Sequence, residues 1–321
     1  MPSLRSRLFV FALRFRLWLK SRRGGPEVIT EDTSIAELRA RVEKSAGMFG
    51  KLAPGFTIEP VDIEGLNAEW LRPPAAAGDK ALLYFHGGGL VVGSARSHRN
   101  IVQKFAGACG VPALVFDYGL APEQPFPRAL EDSLRAYRHL LDGGLAPQDI
   151  VFMGDSGGGN LCLSILLACQ RDGLPLPAAV VALSPWTDLT NSGASYQENL
   201  ERDHLTWRNS AAVFARYYAG EHALDDPLVS PLHGDLRGLP PLLLFAGSDE
   251  LMRDDSVRFA DKARAAGVDV TLHLGEGLFH CYPACAGLFP EATQALQVIA
   301  RFVQGYLGLE SASEPRKRSA A

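Results

Sequence analysis

An α/β architecture, with a mostly parallel central sheet flanked by helices, is what this 321-residue chain predicts. Three observations predict it. From about residue 80 onward, short β-branched and aliphatic runs alternate with longer amphipathic stretches, the order that builds a parallel sheet covered by helices. Each run is apolar throughout rather than alternating, as a strand buried on both faces must be. Hydrophobic residues make up 47% of the chain, enough for a large core.

Taken in order, residues 1–50 do not fit the β-α rhythm and are expected to form N-terminal cap helices. Phe56 to Ile63 and Leu66 to Leu71 look like antiparallel edge strands, because Glu64-Gly65 between them suits a tight turn. The buried strands follow: Ala81 to His86, Val111 to Asp117, Ile150 to Asp155, Ala178 to Ser184, Leu242 to Gly247 and Val268 to Leu274. Between them Arg128 to Leu141, Gly158 to Arg171, Arg253 to Ala266 and Glu291 to Leu307 have helical spacing and length. Residues 51–189 and 229–309 thus form the core. Residues 190–228, rich in aromatic side chains such as Trp207, Phe214 and Tyr218, interrupt it as a cap insertion over the carboxyl ends of the strands, where open sheets bind ligands. The polar tail, residues 310–321, is expected to be disordered.

A formal net charge of −4 gives no general pull toward nucleic acid, so the electrostatics point to a small or neutral partner. Five cysteines, an odd number without paired spacing, read as free thiols in a reducing compartment. The first 23 residues carry seven basic side chains and no acid. Their longest apolar run, Leu8 to Leu13, is too short to span a membrane, and Arg14 and Arg16 fall where a signal peptide needs its apolar core and cleavage site. The expectation is a cytoplasmic protein. Leu4, Leu8, Phe11, Phe15 and Trp18 share one helical stripe flanked by arginines, as in an interfacial helix. Phe9, Val10 and Leu13 line the opposite side, and the reading preferred here is a cap helix, with membrane contact the alternative.

Two motifs carry chemistry. Gly154-Asp155-Ser156-Gly157-Gly158 directly follows one strand and precedes a helix, the strand-turn-helix setting of a nucleophile elbow in an α/β-hydrolase fold. Such a pentapeptide arises by chance in roughly one chain in six, so it needs support. His86-Gly87-Gly88-Gly89 supplies it: this rarer motif ends a separate strand of the same sheet and can aim backbone N–H groups at an oxyanion. The expected donors are Gly87, Gly88 and Gly157. A serine needs a base to take its proton and an acid to hold the base's tautomer. In this fold the chain order is Ser, then Asp or Glu, then His. His280 is the histidine with the right address, in a loop after the last strand. Asp249 is the expected acid, with Glu250, Asp254 and Asp255 as rivals; the last two fall in the first turn of the following helix.

From about Leu83 to Tyr282 these residues resemble the hormone-sensitive-lipase-like esterases, the bacterial family IV type. Tyr84 to Gly89 is similar to the family's oxyanion motif, Asp117-Tyr118-Gly119-Leu120-Ala121-Pro122-Glu123 to its D-Y-R-L-A-P-E loop, and Gly154 to Asn160 to its G-D-S-A-G-G-N elbow. Asp249-Glu250-Leu251-Met252-Arg253-Asp254 resembles its D-x-L-x-D acid motif, with one residue more before the second Asp. Gly119, Gln124 and Gly157 replace the family's usual Arg, His and Ala, and none of these changes removes a reacting group. The resemblance implies hydrolysis of short- to medium-chain carboxylic esters through an acyl-enzyme on Ser156, with no cofactor or metal. It also implies a cap shaping the acyl and alcohol pockets, and homodimers as a common assembly. Lactone, amide or acetylated small-molecule hydrolysis by the same triad stays open. A non-catalytic receptor, as in the plant gibberellin receptors of this family, is the alternative of another class; those receptors lack the histidine that His280 supplies here. A zinc site at His280, Cys281 and Cys285 would lack a fourth ligand and occupy the base.

Overall fold

The computed structural model describes residues 2–24, 28–45, 52–74, 76–203 and 205–309, so the expected disordered tail lies outside the described residues. Eight strands form one sheet: β1 (Thr57–Ile63), β2 (Leu66–Arg72), β3 (Ala81–Phe85), β4 (Ala113–Phe116), β5 (Ile150–Asp155), β6 (Ala179–Leu183), β7 (Leu242–Gly247) and β8 (Val270–Gly275). Their spatial order is β1-β2-β4-β3-β5-β6-β7-β8. β2 runs antiparallel to both β1 and β4, and every other pairing is parallel. The β1–β2 hairpin closes with Ile63 opposite Leu66. Glu64 and Gly65 both have positive φ, 52° and 84°, the geometry whose twist matches a two-residue hairpin.

The central strands read as unbroken apolar runs because each face meets a separate core. On β5, Ile150 and Phe152 belong to one buried cluster, while Val151 and Met153 belong to the other. Helices α4 (Arg128–Asp142), α5 (Gly157–Asp172) and α8 (Arg253–Ala265) fill the first through Leu134, Leu161 and Phe259. Helices α3 (Ala95–Cys109) and α9 (Pro290–Tyr306) fill the second through Phe105 and Ile299.

Helix α3 is absent from the sequence-based expectation. Its packing face also buries Ser97, His98 and Gln103, which breaks the apolar period. Local chemistry defines its ends instead: Ser94 and Ser97 form a reciprocal capping box, and Gly110 closes the helix at φ 73°.

The remaining α-helices among the described residues are α1 (Leu4–Gly24) and α2 (Ile35–Ser45) at the N-terminus, and α6 (Ser195–Glu198) and α7 (Ser210–Ala219) between β6 and β7. These two parts of the chain touch. Val28 bridges Arg208, Ile29 N donates to Arg208 O at 2.9 Å, and Asn209 Nδ2 donates to Ile29 O at 3.0 Å. Among the described residues, no helix is long and apolar enough to cross a membrane.

Candidate active site

Parallel strands end at one edge of the sheet, so the segments after β3, β5, β7 and β8 are brought together there. Ser156 follows β5 at φ 55° and ψ −120°, a region that a residue with a Cβ occupies only under strain. The surroundings impose the turn. A Cβ on Gly158 would lie 2.1 Å from the Phe85 carbonyl oxygen, so only glycine lets α5 begin this close to β3. Ser156 N is held by Leu183 O at 2.8 Å, and Trp186 N donates back to Ser156 O at 3.2 Å.

The glycine loop after β3 lies against the elbow: a Cβ on Gly157 would be 2.9 Å from Leu90 N and 3.0 Å from Gly89 N. Of the three expected oxyanion donors, Gly88 and Gly157 have N–H groups without an acceptor among the described residues, and Gly87 does not. Gly87 N donates to Asp155 Oδ1 at 3.1 Å, which turns its N–H into the protein. Tyr84 Oη donates to the same oxygen at 2.8 Å, and His98 Nε2 lies 3.7 Å from Oδ2. The anionic Asp155 is thereby a brace under the loop. Burial alone would raise its pKa, but His98 and Tyr84 bring it below the usual carboxylate range. His98 is shifted up, since Asp155 outweighs the burial that opposes its charge. Among the described residues the N–H groups of Gly88, Gly89 and Gly157 have no acceptor, and Gly88 and Gly89 both have positive φ. The free N–H groups at this loop are thus those of Gly88 and Gly89, while that of Gly87 is bonded to Asp155.

His280 follows β8 and lines the same cavity as Ser156. Asp249, the expected acid, does not reach it. The Asp249 carboxylate accepts from Arg14 of α1 at 2.6 Å and from Ser248 Oγ at 3.0 Å. The carboxylate next to His280 is Glu250, whose Oε2 lies 3.5 Å from Nδ1. Adjacent residues in this turn point apart, and the longer side chain turns inward. Glu250 is fully buried and its Oε2 accepts from Ser184 Oγ at 2.7 Å and from Gly247 N at 3.2 Å. Asn199 Nδ2 holds the Glu250 carbonyl at 2.8 Å, and Asp203 accepts from Leu251 N at 2.9 Å, so residues 190–228 pin the acid turn.

Burial disfavours the imidazolium of His280, yet the Cys281 sulfur and the Glu250 carboxylate more than offset it, and the pKa stands well above 6.5. A base must be neutral to take a proton, so its population falls as pH drops through that raised pKa. The expected kcat/KM profile therefore has its acidic limb above about pH 6.5, the ordinary histidine value. A profile flat between about pH 5 and 9 would remove His280 as the base.

A cavity of about 300 Å³ opens beside Ser156, His280 and Gly88, walled by Trp186, Trp207 and Phe214. Cys281 also lines it, and burial pushes its thiol pKa up although His280 opposes the shift. Cys281 is half-buried, whereas the other four free cysteines are buried. Complete alkylation of Cys281 with a bulky maleimide should abolish turnover, while Cys281→Ala should keep most activity and resist the reagent; full activity in the alkylated protein would show that the thiol lies clear of the reaction path.

The α/β-hydrolase fold family profile matches residues 82–284. An acetyl-hydrolase of Streptomyces hygroscopicus is 36% identical over 281 residues, covering 87% of this chain and 93% of the relative. An esterase of Acinetobacter venetianus is 35% identical over 250 residues, covering 78% and 82%. Among solved structures, an esterase from the bacterial hormone-sensitive lipase family superposes with a TM-score of 0.83 at 39% identity, over 87% of this chain and 94% of that one. EstE5 soaked with p-nitrophenyl butyrate gives 0.85 at 36% identity, over 93% and 98%.

Proposed function

The chain belongs to the α/β-hydrolase fold family, among the esterases of the bacterial hormone-sensitive-lipase type, and from that premise we propose that Ser156, His280 and Glu250 carry its reaction. It is a serine esterase. The observation that carries the residue assignment is the convergence on one cavity of a strained Ser156, His280 backed by a buried carboxylate, and N–H groups without acceptors.

In this reading Ser156 Oγ attacks the ester carbonyl carbon while His280 Nε2 takes its proton. The charge that develops on the carbonyl oxygen is met by the N–H groups of Gly88, Gly89 and Gly157. Collapse expels the alcohol, which leaves with the proton from His280, and the acyl group stays on Ser156. Water then repeats the sequence and releases the acid. Glu250 faces Nδ1 throughout, fixing the tautomer and stabilising the imidazolium at each proton transfer.

The substrates are small esters, of which p-nitrophenyl butyrate, soaked into EstE5, is an example. A cavity of about 300 Å³ is at the small end for ligand sites and favours short to medium acyl chains. We assign residues 1–50 and 190–228 to a cap over the carboxyl edge of the sheet, since Val42 of α2 and Phe214 of α7 both wall the cavity. The five free cysteines suit a reducing, cytoplasmic setting.

The test is turnover of p-nitrophenyl esters from acetate to palmitate, with and without phenylmethylsulfonyl fluoride. Rates should peak at short to medium acyl lengths and vanish on treatment, with one sulfonyl group on Ser156 by peptide mass spectrometry. A sulfonyl group on another residue, with loss of turnover, would move the nucleophile there.

A further inference from the structure

Helix α1 uses only one of its faces inside the protein. Val10 is buried, and Phe9 packs on Phe279 and Phe289 at centroid distances of 6.2 and 5.1 Å. The other face is apolar and turned to solvent: Leu4 is 70% exposed, Leu8 58%, Phe11 67%, Phe15 50% and Leu19 38%. At about 100° per residue these five fall within an arc of about 80°. Arg5 and Arg16 stand along one edge of that arc, and Arg7 and Arg14 along the other. The expected stripe is therefore present and outward-facing, with Leu19 continuing it; the Trp18 side chain lies outside the described residues.

Such a surface has a cost in water that singly scattered apolar residues do not carry, because the exposed side chains are contiguous. Three occupants could cover it. The tail at residues 310–321 has no large apolar side chain to offer. A second copy of the chain would bring two arginine-edged stripes face to face, with like charges opposed. An anionic lipid surface matches both features, since the stripe enters the acyl boundary while the exposed guanidiniums of Arg5, Arg7 and Arg16 reach the headgroups, Arg14 being paired with Asp249. The first 23 residues hold seven basic groups and no acid, although the whole chain is net −4, so this attraction is confined to α1.

We infer that α1 is an interfacial helix that seats the enzyme on an anionic lipid surface through Leu4, Leu8, Phe11, Phe15 and Leu19. The helix serves two partners at once, its inner face closing the protein and its outer face meeting lipid. Docking also brings lipid to the helix whose inner face borders the reaction centre, because Phe279, on which Phe9 stacks, lines the catalytic cavity.

The experiment is co-sedimentation of the full chain with phosphatidylcholine vesicles, with and without phosphatidylglycerol. Binding is expected only where phosphatidylglycerol is present, and it should weaken as salt shortens the Debye length. Arg5→Gln, Arg7→Gln and Arg16→Gln combined should lower the partition coefficient about 100-fold, at roughly 1 kcal/mol per cation near the surface. Leu8→Gln, Phe11→Gln and Phe15→Gln combined should abolish binding. Both variants should hydrolyse soluble p-nitrophenyl butyrate as the native chain does, which shows that they fold and separates this inference from the esterase reading. Absence of binding to either vesicle, or binding unchanged in both variants, overturns it. A concentration-dependent dimer lost in the Gln variants, with no vesicle binding, would assign the stripe to a second copy.

Discussion

Ser156→Ala is expected to lower kcat for p-nitrophenyl butyrate by about 10⁴- to 10⁶-fold with little change in KM. The size of the loss follows from where the serine acts. Without Oγ there is no acyl-enzyme, and hydrolysis must proceed by direct attack of water on an ester held in the cavity. Binding does not need the hydroxyl, so KM reports the apolar walls at Trp186, Trp207 and Phe214, which the substitution leaves intact. A residue of activity above the uncatalysed rate remains, because Gly88, Gly89 and Gly157 still stabilise the oxyanion. The substitution is also mild for the fold. Ser156 makes its backbone bonds to Leu183, Trp186 and Asn160 through N and O, all of which alanine keeps. Another nucleophile on the cavity wall is Cys281, but burial raises the pKa of its thiol. Turnover within about tenfold of native in Ser156→Ala, with Cys281→Ala inactive, would reverse the two roles.

The parts of this structure legible in the sequence are those where a residue's type and its neighbours in the chain settle the outcome. The central strands were legible because two cores bury both faces, leaving runs such as Ile150 to Met153 with no polar position. Ser156 and His280 were legible because glycine requirements at a tight turn and the chain order of the fold act through local sequence. Helix α3 was not, since its inner face buries polar side chains whose partners, such as Asp155 for His98, are distant in sequence. The inward turn of the Gly87 N–H was not legible for a related reason. Three consecutive glycines offer three equivalent N–H groups, and the one directed inward is chosen by Asp155, 68 residues further along. The sequence did carry one sign that points to Glu250 as the acid. With Glu250 in first place, Glu250-Leu251-Met252-Arg253-Asp254 keeps the five-residue spacing of the acid motif, whereas starting from Asp249 makes it one residue too long.

The two neighbouring carboxylates are separated by substitution. Glu250→Gln should lower kcat by about 10² to 10⁴-fold, and Asp249→Asn by less than about tenfold. Glu250 is fully buried beside Nδ1, so its charge acts on His280 without screening by water. Gln keeps the shape and can still accept from Ser184 Oγ, but it offers no charge to the imidazolium and can present an N–H to Nδ1, favouring the wrong tautomer. Its pH profile should move as well. Glu250 is one of the groups that hold the His280 pKa up, so the acidic limb of kcat/KM should shift to lower pH in Glu250→Gln. Asp249→Asn, by contrast, removes a partly exposed ion pair with Arg14, worth about 1 kcal/mol at most, and leaves the acidic limb in place. The pH shift is what distinguishes an electrostatic partner of His280 from a residue that merely shapes the turn. If Asp249→Asn moved the limb and Glu250→Gln did not, the acid would be Asp249 and the 3.5 Å approach of Glu250 would be packing.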